Sequence, residues 1–558
     1  MDICMRLFIF FMFAYMSIYS SNVLSLDKTD KVIGTNIGGI TDYSGDWPFL
    51  NRMKSARKWI TYDSTGKDTT WDTKVPIPSD ENGYPLRIPF DPDGDGGIPP
   101  QSVRTILINK NSNYPSGIYT LTFEGKGKLR MRVDAQCPKL RDSQCIFEKP
   151  NVAHRFFVKK PTNGGLRLEI LSSAANDHIR NIRVLPLNVD NADKNEFHPT
   201  YIERLQGFAV LRFMDWSSIN HSKIKRWSSR VKNDHYTYSL KGKGVPYEVI
   251  LDLSNRVSAD PWLVVPTMAD DDFVRKLAQL VASRLDKNRT IYLEYSNEVW
   301  NTIFPQNKFV TASGIKLGLR MGLSLNKKEA NALFNARRSI EIFEIFEREL
   351  KGHHKLVKVV SGQGMNPSVA RKVIKWINDP RVNPKSIKAD ALAIALYFGS
   401  QTVDNLLTKN RSRAKKLISE KDVKEIKVDK FLDNAATELR ERRIPRMIDH
   451  SVLASRHGMK LLAYEGGQSM RVGRGYSIPV IQAATDKLIE ANRSERMGEL
   501  YSEMFELWFK NGGDAFVNFS FIYRPRRWGA WGILEHQWQN PEDAPKYRAV
   551  KEQLRHGK

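Results

Sequence analysis

Cysteine is scarce. The 558 residues include three, too few for a disulfide-dense scaffold or a thiolate metal cluster to organise the chain. Cys4 falls in the N-terminal apolar segment. Cys137 and Cys145 remain, eight residues apart in a turn-rich stretch where an oxidising exterior would let them pair. No His/Cys spacing matches a metal site, and no organic cofactor is expected either. Acidic residues are outnumbered, 62 Asp and Glu against 87 Lys and Arg, for a net charge of +25. Such a chain is drawn to polyanions such as acidic polysaccharide or an anionic wall, or it carries a solvated basic surface. Nucleic acid is not expected as a partner, because no recognised binding motif accompanies the charge. Long apolar runs are missing except for Leu7 to Tyr19, which follows Arg6 and precedes Val23-Leu-Ser25. That run is short for a membrane span of about 20 residues. Residues 1–25 read as a secretory signal, giving a mature chain without membrane association in an extracellular or periplasmic setting.

What is present is a folded composition, 41% hydrophobic and 10% aromatic, in a chain long enough for two domains. Val32-Ile-Gly-Thr-Asn36-Ile-Gly-Gly-Ile40 reads as a first strand and Trp47 to Trp59 as a helix, so residues 31–60 form a first βα unit. From 61 to 188 the pattern changes to short strands divided by Gly, Pro, Asn and Asp, among them Thr105–Ile108, Gly117–Phe123, Lys128–Val133, Arg155–Val158 and Leu166–Ile170. That spacing predicts an inserted all-β sandwich. From 189 to 558 strand and helix alternate again, as a parallel α/β fold should. Asp91-Pro-Asp-Gly-Asp-Gly-Gly has the alternating aspartates of a calcium loop but lacks its later glutamate, so a polar surface loop is the plainer reading. Asn-x-Ser/Thr sequons stand at Asn220, Asn288, Asn410 and Asn492.

Two strands carry the chemistry. Thr290-Ile-Tyr-Leu-Glu-Tyr-Ser-Asn297-Glu298 ends in an Asn-Glu pair, and Lys460-Leu-Leu-Ala-Tyr-Glu465 ends in a glutamate followed by Gly466-Gly467, which would permit close approach of a substrate. Two carboxylates at strand ends, 167 residues apart (298 to 465), are what retaining glycoside hydrolysis needs: one protonates the leaving oxygen, and the other attacks the anomeric carbon. Glu294 competes with Glu298 by strand alternation but lies a layer deeper.

Tyr295-Ser-Asn297-Glu298 resembles the acid/base signature on strand four of clan A glycoside hydrolases, and Tyr464-Glu465-Gly466 resembles their strand-seven nucleophile. The chain is similar to secreted members of that clan whose barrel carries a β-sandwich module, some described as cellulose-binding. The resemblance implies a (β/α)8 barrel with the sandwich inserted near its N-terminus. It assigns catalysis to Glu298 and Glu465, with Asn297 on the 2-hydroxyl of the cleaved sugar. Arg212, on strand two, would bond Glu465 and keep it ionised. Tyr397 on strand six would contact the nucleophile, Trp528 or Trp531 would stack on a sugar, and Asn36 would join the substrate-binding set. Thr267 stands where the clan tends to have histidine. Arg524, Arg526 and Arg527 point to an anionic substrate. The expected function is retaining hydrolysis of a β-linked polysaccharide; the alternative is a non-catalytic carbohydrate- or wall-binding protein on the same fold.

Overall fold

The computed structural model describes residues 31–94, 96–109, 113–137, 144–187, 196–409, 416–417 and 419–555. Residues 1–25, read as a secretory signal, Asp95 and Asn410 lie outside the described residues. Eight parallel strands close into a barrel in chain order: β1 (Val32–Asn36), β2 (Val210–Arg212), β3 (Asp260–Val265), β4 (Ile291–Tyr295), β5 (Leu356–Ser361), β6 (Ala391–Phe398), β7 (Lys460–Gln468) and β8 (Gly513–Asn518). The seam is β8 against β1, with Val32 opposite Ala515 and Thr35 opposite Asn518. These strands read as apolar runs because helices cover them outside and packed side chains fill them inside. Among the covering helices are α1 (Tyr247–Val257), α2 (Asp271–Arg284), α3 (Lys327–Leu350), α4 (Pro367–Ile377), α5 (Ile444–Arg456) and α6 (Glu495–Lys510). Local signals set their starts. Asp270 caps α2, accepting from Phe273 N, while Asp271 and Asp272 occupy its positive first turn. This is the (β/α)8 barrel the sequence predicts.

Between β1 and β2 the chain builds two antiparallel sheets. One has five strands, in the order Ile60–Asp63, Gln101–Ile108, Leu166–Ser173, Gly127–Val133 and Gln144–Phe147. The other has four, in the order Arg180–Pro186, Gly117–Glu124, His154–Val158 and Ala135–Gln136. Val103, Leu121, Phe123, Met131, Phe156 and Leu168 fill the space between them. A disulfide joins Cys137 to Cys145. In the loop read as calcium-like, Asp91 accepts from Gly94 N and Asp93 from Ile98 N, so both carboxylates are used to tie the turn.

One predicted element is absent. Residues 47–59 hold a single 3-10 turn, Arg52–Ser55, instead of a helix, so β1 is not followed by a covering helix there. The reason is that this segment serves two cores. Phe49 packs into the barrel, whereas Trp47, Met53 and Trp59 pack into the sandwich. No single helical face could satisfy both. Trp47 also fastens the two parts together: its N–H donates to Gln537 Oε1 at 2.7 Å, and its ring meets Trp538 edge-on at 5.9 Å. The sequons divide as well. Asn288 is exposed, but Asn492 is buried and its amide donates to Glu535.

Candidate active site

At the C-terminal end of β4 the backbone turns sharply. Ser296 and Glu298 both adopt left-handed conformations, with φ of +57° and +40°, at a cost of roughly 1–3 kcal/mol each. Neighbours hold the turn: Ser296 Oγ shares a hydrogen bond with Thr267 Oγ1 at 2.7 Å, and Gln306 Nε2 donates to the Asn297 carbonyl at 2.9 Å. Thr267, where a histidine was expected from the resemblance, therefore braces the acid/base loop. Glu298 emerges half-buried at the barrel mouth. Glu294, four residues earlier, is sealed in the barrel, accepting from Arg212 and from Trp262 Nε1 at 3.0 Å.

On β7 a register shift places Ala463 opposite Ile394 but Glu465 opposite Ala395, leaving Tyr464 as an extra residue. Such a bulge re-aims side chains that strict alternation would send to opposite faces. Both consecutive residues thus serve the site. Tyr464 Oη donates to Glu298 Oε1 at 2.8 Å, and Glu465 turns to Arg212 and Tyr397. Gly466 and Gly467 have a different reason from the one expected. A Cβ on Gly466 would lie 2.2 Å from the Phe516 ring, and one on Gly467, at φ +122°, would lie 2.5 Å from Tyr501 Oη. They make room for core packing, not for a ligand.

Arg212 ties the parts together. Fully buried, it donates from Nη1 to Glu465 Oε1 (3.0 Å) and Asn36 Oδ1 (3.1 Å), and from Nη2 to Glu294 Oε2 (2.9 Å) and Asn297 Oδ1 (3.0 Å). One guanidinium thus fixes the nucleophile candidate and the residue beside the acid/base candidate. Burial would strip its proton, but Glu294 and Glu465 outweigh that and push its pKa up. Asn36 is 1% exposed, and its amide nitrogen is used by the carbonyls of Tyr464 and Asn518. Asn36 and Arg212 are accordingly positioning residues, enclosed by protein, rather than sugar contacts.

Electrostatics modify one expectation. Burial pushes the Glu465 carboxyl up to about 8. Arg212 and the Tyr397 hydroxyl pull it down, while the charges of Glu298 and Asp215 push the same way as burial. Arg212 alone does not keep this group ionised at neutral pH. The raised Arg212 nevertheless marks an ion pair with ionised partners. Both Glu465 oxygens accept hydrogen bonds, from Arg212 and from Tyr397 Oη at 2.9 Å. We therefore take burial to lift Glu465 above the ordinary carboxylate range, with the pair geometry favouring its anion whenever the neighbouring carboxyls are neutral. Tyr397 and Tyr464 are held far above the usual phenol range, chiefly by burial, and stay donors.

The strand-eight loop divides its tryptophans. Trp531 is half-buried in a row of rings running from the nucleophile: Tyr397 to Phe519 at 6.2 Å, Phe519 to Trp531 at 5.8 Å, and Trp531 to Tyr523 at 5.1 Å. Trp528 is 46% exposed beneath Arg527 and has no ring contact with that row among the described residues. Besides Tyr464, sequence reasoning missed three residues of the site. Asn301 donates to Glu298 Oε2 at 2.9 Å. Asn220 accepts from both Asn297 and Gln306, so that sequon belongs to the site. Asp215 lies just beyond β2, half-buried, its carboxyl raised to about 6 by burial against the pull of Arg212. Asp215 had a visible signal, since it stands three residues after Arg212 where the strand gives way to the mouth.

No protein-family model matches the chain, and no curated protein matches it either. Among solved structures it is similar to AbfB, a family 51 α-L-arabinofuranosidase from Bifidobacterium longum (TM-score 0.36, 10% identity, covering 65% of this chain and 69% of that one). It is also similar to the CBM22-1–GH10 modules of endo-1,4-β-D-xylanase 10B from Clostridium thermocellum (TM-score 0.31, 10% identity, 91% and 97%). A third is a GH5 cellulase affiliated with the Bacteroidetes (TM-score 0.32, 10% identity, 64% and 86%). Superpositions this loose bear on neither substrate nor mechanism, which rest on the side chains described above.

Proposed function

We propose that the chain is a secreted retaining glycoside hydrolase acting on a β-linked polysaccharide. The observation that carries this reading is the Arg212 hub, which gathers Glu465 and Asn297 while Tyr464 reaches across to Glu298. In the first step Glu465 attacks the anomeric carbon as the glycosidic C–O bond breaks, and Glu298, in its acid form, gives its proton to the departing oxygen. Loss of that proton leaves Glu298 as the base that deprotonates water. The water attacks the same carbon, and the Glu465 ester bond breaks. Asn297 is buried and oriented by Arg212 and Asn220, and we assign the amide hydrogen it does not give to Asn220 to the 2-hydroxyl at the cleavage point. Secretion is read from residues 1–25, and the Cys137–Cys145 disulfide suits an oxidising compartment.

One observation favours a second reading. A Glu465 held up to about 8 by burial is neutral for much of its time at neutral pH, and a neutral carboxyl cannot attack. A binding protein on the same fold would tolerate that. The deciding experiment is incubation with a panel of β-glycans, following released reducing ends and the anomeric configuration of the first product by NMR. Retained configuration, with Glu298→Gln and Glu465→Gln folded and inactive, supports the hydrolase. Inverted product, or near-wild-type turnover in either variant, rejects the assignment.

A further inference from the structure

Beside the acid/base loop lies a hollow of about 700 Å³ whose walls include Thr267 and Gln306. These two side chains hold Ser296 and Asn297, the residues immediately before Glu298, so the hollow adjoins the loop that carries Glu298. Its rim carries Lys223, Lys241, Lys243 and His221, and among the described residues no acidic one lines it. Among the described residues, none of the three lysines pairs with a carboxylate. In a molecule where Arg57, Arg230, Arg284 and Lys372 each find one, that concentration of unmatched cations on one concavity is notable. A second group closes the row of rings that begins at the nucleophile. Arg526 lies over Tyr523 at 5.4 Å and Tyr43 at 5.7 Å. Neither Arg526 nor Arg524 has a carboxylate partner among the described residues, and both are half-buried, where an unpaired guanidinium is costly. A ligand carrying negative charge would relieve that cost at both places, and guanidinium matches a carboxylate or sulfate with two parallel hydrogen bonds.

We propose that the polysaccharide taken by this site is anionic, bearing carboxylate or sulfate groups that Lys223, Lys241 and Lys243 receive in the hollow and Arg524 and Arg526 receive on the strand-eight loop. The proposal rests on the hydrolase reading for the identity of the cleft, but binding tests it independently of cleavage. The inactive Glu465→Gln protein would be run through gels containing glucan, xylan or mannan, each in neutral, carboxymethylated and sulfated form. On at least one backbone a charged form should retain the protein about tenfold more strongly than the neutral form at low salt. That preference should collapse by 0.5 M salt, where screening is nearly complete. The carboxymethyl and sulfate arms identify which anion is preferred. Replacing Lys223, Lys241 and Lys243 together by Gln should remove most of the preference, and Arg524→Gln with Arg526→Gln should remove a further part. The matched control replaces Lys287, Lys351 and Lys388, exposed just ahead of β4, β5 and β6 on the far face of the barrel, and should leave the preference intact. Equal retention of charged and neutral forms on every backbone overturns the proposal, as does an equal loss from both lysine triples or a loss from neither. Reducing-end release by the active protein separates the two ideas. Charged polymer held through the hollow but never cut removes the hydrolase reading alone. Neutral polymer cut as fast as charged removes this one alone.

Discussion

Glu169 in the sandwich and Glu465 in the barrel make an instructive pair. Each is a strand glutamate less than 10% exposed that faces arginine. Glu169 faces two arginines, with Arg130 2.5 Å from Oε2 and Arg132 3.1 Å from Oε1. Glu465 has a share of one, because Arg212 also serves Glu294, and its second oxygen must make do with the Tyr397 hydroxyl. The sandwich carboxylate is matched and closed off. Its barrel counterpart is left short of positive charge beside two further carboxyls, and under the proposed function that shortage is what would suit it to attack. A group whose charge is fully compensated has little to gain from forming a bond to carbon.

The largest effect should come from deleting the shared cation. Arg212→Met leaves Glu294 and Glu465 buried without a cation, which costs about 3–5 kcal/mol when one member of a buried pair is removed. Chemical denaturation should show that loss, and turnover should fall by about 10³-fold or more in whatever folds. Arg132→Met is the counterpart in the sandwich. Arg132 is 41% exposed and Arg130 remains on Glu169, so the loss should stay below about 1 kcal/mol. Similar losses from the two variants would erase the distinction drawn between the two glutamates.

Legibility in the sequence follows the same division. The barrel could be read because buried parallel strands appear as uninterrupted apolar runs, as Ala391–Phe398 does. The short sandwich strands Ala135–Gln136 and Gln144–Phe147 carry too few residues to show a period. Residues 47–59 misled because their apolar positions mimic a helical face while serving two cores. In the site, the two strand-end glutamates could be found by motif and position. Tyr464 could not be given a role, because alternation along β7 assigns it to the face opposite Glu465, and only the bulge cancels that. The sharing of Arg212 between Glu294 and Glu465 was equally hidden, since it depends on distances between three strands.

A smaller effect tests the shortage of charge through pH. Glu465 has a folded pKa of about 8 against 4.5 for an ordinary glutamate, so between those values the folded state holds a proton that the unfolded chain releases. Stability from this group is therefore present at low pH and is lost as pH rises toward 8. Glu465→Gln has no such proton to lose. Its advantage over wild type in unfolding free energy should grow between pH 5 and pH 8, by an amount on the order of a few kcal/mol, and then level off. Parallel curves for the two proteins across that range would show that burial does not tax the charge on Glu465.

The smallest effect is the most specific. Tyr397→Phe removes the one hydroxyl that donates to Glu465 Oε2 and keeps the ring, with its packing against Phe519. That hydrogen bond lowers the Glu465 pKa, so its loss should move the ascending limb of kcat/KM to higher pH. At pH 7 the rate should fall about tenfold, as expected for one positioned donor to a charged group. At pH 9, where Glu465 ionises even without help, most of the loss should be recovered. A tyrosine that served only to pack the row of rings would instead lower the rate by the same factor at every pH. The shape of the profile, more than the size of the drop, therefore decides whether Tyr397 supplies part of the charge compensation that Arg212 divides with Glu294.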